Sequence, residues 1–143
     1  MNKNEMFRFL IKEDLARLSE KSTRRVFKKG DVIMKEGVVA HSLYRLTKGT
    51  VKVVKDVRGE DVVISRLGPG ELLGIASLLN GTAIMATVIA KEESEFELIA
   101  LHDLQSLLES MPGLAVRFYR SLGAVLIDRL DMLVHQVVSP EPS

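Results

Sequence analysis
The chain has 143 residues, 46% of them apolar and 27% charged, a balance of globular type that excludes disordered and collagen-like composition. Its formal net charge of +1 gives no bulk attraction to nucleic acid or to an anionic membrane. Cysteine is absent, which excludes a disulfide framework, thiol catalysis and a zinc–thiolate site.

In chain order, Asn4 to Ser19 carries Met6, Phe7, Leu10, Ile11, Leu15 and Leu18 at helical spacing, as one helix or two short ones. Its first residues hold no apolar run long enough for a signal peptide, so a cytoplasmic protein is expected. From Val26 the period changes to short apolar runs: Val32–Met34, Leu43–Leu46, Thr50–Lys55, Val62–Leu67, Ala86–Ala90 and Glu95–Leu101. Glycines at positions 30, 37, 49, 59, 68 and 70 punctuate them, and strands at this spacing predict an all-β sandwich or barrel. Arg58-Gly59 is placed to turn one hairpin. Past Leu101 the helical period returns. His102-Asp103 can start a short helix that buries Leu104, Leu107 and Leu108. Pro112 suits the first position of a long helix reaching about Val137. Its stripe runs through Leu114, Phe118, Leu122, Leu126, Leu130, Leu133 and Val137. The tail, residues 139–143, is expected to be disordered, leaving 1–138 as one domain.

Leu72 to Ala90 is nineteen residues without a charge. About 20 apolar residues cross a bilayer. A membrane helix here is excluded by Asn80-Gly81 mid-segment, a turn signal that would strand backbone groups in lipid. The segment reads as a short helix, a turn and a buried strand from Ala86 to Ala90.

Three local patterns carry a resemblance. Phe27-Lys28-Lys29-Gly30-Asp31-Val32-Ile33-Met34-Lys35-Glu36-Gly37 resembles the opening F-x-x-G-x-x-I-x-x-E-G of the cyclic nucleotide-binding domain family. Leu43 to Val53 is similar to that family's second signature, and Leu67 to Gly74 resembles the lead-in to its phosphate-binding cassette. The resemblance implies a mainly β fold with flanking helices: an eight-stranded jelly-roll, an N-terminal helical segment and two C-terminal helices, the last one long. It also implies a regulatory or sensor module, not an enzyme.

The cassette, residues 73–88, is where the sequence departs from the family's pattern. The resemblance places the ligand at Gly74, Ile75, Ala76, Ile84, Met85, Ala86 and Thr87. It implies a glutamate for the ribose hydroxyl where Ile75 stands, and an arginine for the cyclic phosphate where Ile84 stands. Met85 occupies a place for a small residue. A buried phosphodiester needs a positive or strongly donating partner, and isoleucine offers only dispersion. Backbone N–H groups at Ile75 and Ala76 would favour an anion weakly. Three outcomes follow: a filled pocket in which Ile75, Ile84 and Met85 pack together, a cavity for an uncharged or apolar ligand, or a cyclic nucleotide held by a rearranged set of contacts.

Other chemistry finds little support. His41, His102 and His135 are scattered without ligand spacing, so neither a metal site nor a catalytic constellation is expected. The Arg24-Arg25 and Lys28-Lys29 cluster lacks interleaved aromatics for nucleic acid. The resemblance further implies a homodimer through the long helix, at Leu122, Leu126, Leu130, Leu133 and Val137, and action on a protein partner. No DNA-reading helix-turn-helix, no membrane partner and no cofactor other than a cyclic nucleotide is expected.

Overall fold
A computed structural model of the chain describes residues 7–138, apart from the side chains at positions 136 and 137. Asn4 to Met6 of the first expected helix and the tail at 139–143 lie outside the described residues. After a turn at positions 7–9 the chain forms α1 (Lys12–Lys21), then β1 (Ser22–Phe27), β2 (Val32–Met34), β3 (Ser42–Lys48), β4 (Val51–Val57), β5 (Glu60–Leu67) and β6 (Leu72–Leu73). There follow α2 (Ile75–Asn80), β7 (Thr87–Ala90), β8 (Ser94–Ala100), α3 (Leu101–Ser110) and α4 (Pro112–Val138).

The strands make two four-stranded antiparallel sheets, ordered β1-β8-β3-β6 and β2-β7-β4-β5. This is the jelly-roll that the glycine punctuation and the resemblance led us to expect. Period-2 alternation explains why the sheets close on each other. In β3 and β8, Leu46 and Phe96 point between the sheets, while Leu43 and Ile99 point outward to the helices. The inner core is built around Phe96, fully buried, with Phe27 and Tyr44 meeting it edge-on at 5.6 and 5.8 Å between ring centroids. The second core lies between the first sheet and the helices, where Leu104, Leu108, Leu114, Phe118 and Leu122 are all buried.

Two strands escape the sequence reading for physical reasons. β1 reads Ser-Thr-Arg-Arg-Val-Phe with four consecutive exposed residues, so it shows no alternation; its existence rests on backbone pairing with β8. β6 is two leucines that look helical beside α2, yet they pair with Tyr44 and Arg45. Gly74, left-handed at φ +95°, ends that pairing and starts α2. The hairpin at Arg58-Gly59 turns as expected, with both residues at positive φ (55° and 87°), as a two-residue type I′ connection requires.

One ion pair fastens the N-terminal helix to the long C-terminal one. Asp14 is buried at 1% exposure, and its carboxylate accepts from Arg117 Nε at 2.5 Å and Arg117 Nη2 at 2.8 Å, and from the Ile11 N–H at 3.1 Å. The Arg117 hydrogen bond holds the Asp14 carboxyl below the usual carboxylate range. A depressed folded-state pKa contributes stability that is fully present above the unfolded value of 3.8 and is lost as pH falls through the folded value. Asp14→Asn is therefore expected to lower the urea midpoint at pH 7 and at pH 5. The gap from the parent protein should narrow once the pH falls below 3.8 and the carboxylate begins to protonate. A gap that stays constant with pH would remove the ion pair from the account.

Candidate functional site
The uncharged segment builds one wall of an open cavity of about 460 Å³ between β6, α2, the loop before β7 and the underside of α4. Gly74 is the pivot. A Cβ there would lie 2.9 Å from the Ser42 carbonyl oxygen, and the residue is left-handed, so only glycine lets α2 approach β3 this closely. α2 then ends at Gly81, φ 66°, whose N–H donates to the Ser77 carbonyl at 3.0 Å. Ser77 is buried and fully engaged: its hydroxyl donates to the Thr82 carbonyl at 2.7 Å and accepts from the Ala40 N–H at 3.0 Å.

The loop carrying Ile84 to Ala86 is held by the turn after β2. Ile84 N–H donates to the Val38 carbonyl at 2.8 Å, and Gly37 N–H donates to the Ile84 carbonyl at 2.9 Å. Lys55 Nζ donates to the Met85 carbonyl at 2.8 Å and to Glu36 Oε2 at 2.9 Å. The Lys55 hydrogen bond holds the Glu36 carboxyl below its ordinary range.

Of the seven positions taken from the resemblance, Gly74, Ile75, Ala76, Ile84, Met85 and Ala86 all line the cavity. Thr87 is not among the lining residues; its Oγ1 accepts the Glu36 N–H at 3.1 Å and ties the loop instead of facing a ligand. Ile75, Ile84 and Met85 do not fill the space by packing together. Ile75 is buried in the core below α2, whereas Met85 is 72% exposed at the rim.

The sequence places Arg129 on the charged edge of the long helix and gives it no role at the site. It lines the cavity from α4, and its Nη2 donates to Glu71 Oε2 at 2.7 Å and to the Leu72 carbonyl at 3.3 Å. Among the described lining residues it is the sole charged one, and Ser77 is the sole other polar side chain. The sequence signal was Glu71 bounding the uncharged stretch, with no way to say which helix residue would reach it.

The long helix divides in two along its length. Leu114, Phe118 and Leu122 are buried against α3 and the sheet. Leu122, assigned above to a dimer face, is thus an intrachain core residue at 2% exposure, because its turn of the helix still lies over α3 and the sheet. Leu126 lines the cavity and is 40% exposed, and Leu130 and Leu133 are exposed, as are Ile127 and Val134. The Val137 side chain lies outside the described residues. Among the described residues no group of His, Cys, Asp or Glu could hold a metal ion, and no helix is long and apolar enough to cross a membrane.

Comparison with known proteins agrees with this geometry. The family model described as the cyclic nucleotide-binding domain matches residues 24–111. The chain is similar to the cyclic AMP receptor protein of Thermus thermophilus, 28% identical over 131 residues. That alignment covers 91% of this chain and 59% of the receptor, so the chain spans well under two thirds of that relative's length. A solved N-terminal domain of a transcriptional regulator from Streptomyces coelicolor A3(2) superposes with a TM-score of 0.77 at 28% identity, covering 91% of this chain and 92% of that one. A cyclic nucleotide-binding domain from Methylobacillus flagellatus superposes with a TM-score of 0.84 over 99% of this chain and 85% of that one; at 19% identity this likeness bears on the fold alone. With the match running from β1 through α3 and the cassette pivot in place at Gly74, the chain belongs to the cyclic nucleotide-binding domain family.

Proposed function
We propose that the protein is a non-enzymatic regulatory module that does not hold cyclic AMP or cyclic GMP in the usual way and acts through contacts with another protein. The observation that carries this reading is the chemistry of the cavity wall: isoleucines line it at positions 75 and 84, where the family resemblance implies a ribose-binding glutamate and a phosphate-binding arginine, and the cation at the rim, Arg129, is already paired with Glu71. A cyclic phosphate would have to give up its water against isoleucine. Each charge-assisted hydrogen bond forgone is worth about 1.5–3 kcal/mol. Two of them correspond to roughly a hundred-fold to ten-thousand-fold in affinity.

Calorimetric titration tests this directly. Neither cyclic AMP nor cyclic GMP should give a saturable heat at ligand concentrations up to about 1 mM, where binding energy falls to ~4 kcal/mol. Ile75→Glu combined with Ile84→Arg should restore binding, since the glycine pivot and the loop hydrogen bonds that form the backbone cradle are retained. Micromolar binding by the parent protein would overturn the proposal. A second reading rests on the cavity being open: a receptor in which Arg129 leaves Glu71 to meet a nucleotide phosphate. Under that reading the parent protein binds, and Arg129→Gln abolishes it.

The same reading includes a homodimer through α4. Leu126, Leu130 and Leu133, at spacings of four and three, are 40%, 57% and 58% exposed, a seam of the kind that pairs helices. Light scattering should report twice the mass of one chain, and Leu130→Glu with Leu133→Glu should halve it. A parent protein that is monomeric at every concentration would remove the dimer from the proposal.

A further inference from the structure
We propose that the cavity receives a small, uncharged, lipophilic molecule. This inference rests on the reading that a cyclic nucleotide is not the ligand, and it names what the site accepts instead. Its volume of about 460 Å³ lies in the usual small-molecule range of roughly 300–1,000 Å³. Water in it would face mostly side chains that cannot hydrogen-bond. Displacing poorly bonded water with apolar groups favours binding.

The polar side chains that could recognise a charged or strongly polar ligand are already engaged. The Ser77 hydroxyl both donates and accepts within the protein, Arg129 is bonded to Glu71 and to the Leu72 carbonyl, and Lys55 beside the loop is bonded to Glu36 and the Met85 carbonyl. An anion drawing on Arg129 or Lys55 would have to break its pair and leave Glu71 or Glu36 behind. The rim is apolar on three separate elements: Met85 is 72% exposed, Ile64 of β5 is 57% exposed and Leu126 of α4 is 40% exposed. A pocket closed by its own side chains would have drawn these inward. Met85, unbranched and adaptable, can fold over an occupant.

The test uses Nile red, an uncharged lipophilic fluorophore, with 1-decanol and sodium decanoate as competitors. We expect saturable one-to-one binding of the dye, displaced by 1-decanol and at least tenfold less effectively by decanoate. Ala76→Trp, which fills the cavity, should weaken the dye at least tenfold, and Ile84→Arg, which places a charge in its wall, should do the same. Circular dichroism would confirm that each variant is folded, and either one alone suffices. Met132→Glu, on the exposed part of α4 away from the cavity, should leave binding unchanged. No saturable binding, decanoate equal to decanol, or a loss with Met132→Glu but with neither cavity variant would each overturn the inference. None of these results bears on the calorimetric test with cyclic nucleotides, so the two readings fail separately.

Discussion
The contact between Arg129 and Glu71 sets the character of the whole site. It carries α4 across the end of the cassette and uses up the positive charge that the cavity rim would otherwise present. The same guanidinium reaches the Leu72 carbonyl just before Gly74, so the long helix is tied to the strand that launches α2. At the helix's other half, the pair of buried Asp14 with half-buried Arg117 fixes it to α1. Between these two ties α4 is held over α3 and the sheet by Leu114, Phe118 and Leu122. Beyond Arg129 the described apolar residues, Leu130, Met132, Leu133, Val134 and Val138, are exposed.

That arrangement makes the cavity a consequence of backbone geometry more than of side-chain chemistry. Gly74 allows the close approach to Ser42, Ser77 closes the first turn onto Ala40 and Thr82, and the Val38 and Gly37 hydrogen bonds hold the loop at Ile84. These constraints are made by the main chain and the Ser77 hydroxyl, not by the side chains at positions 75 and 84. Replacing polar residues with isoleucine can therefore change the ligand preference without collapsing the cradle. On the proposed reading, the family fold is kept while isoleucines stand where the resemblance implies polar recognition groups.

Much of the fold was legible because its signals are local. Short apolar runs between left-handed glycines, the Arg58-Gly59 turn and the three-four spacing of α4 are each set by a few neighbouring residues. β1 and β6 were not legible, since one is exposed over four of its six residues and the other is two residues long; only their partners across the sheet define them. At the site, the missing charges were visible in the sequence. That the space stayed open was not, because the direction of Met85 depends on Lys55 and the Val38–Ile84 bonds, which come from other strands and turns. Arg129 and Leu122 show the same limit: which face of a long helix lies over the core and which over the cavity is decided by packing, not by the heptad spacing alone.

The central claim is that an intact cassette backbone encloses a cavity with no free charge. Amide chemical-shift mapping by NMR tests it most directly. Millimolar cyclic AMP should leave the amides of Gly74, Ile75, Ala76, Ile84 and Met85 unmoved, while 1-decanol should shift them saturably. Saturable shifts of those amides with cyclic AMP, and none with decanol, would contradict the account.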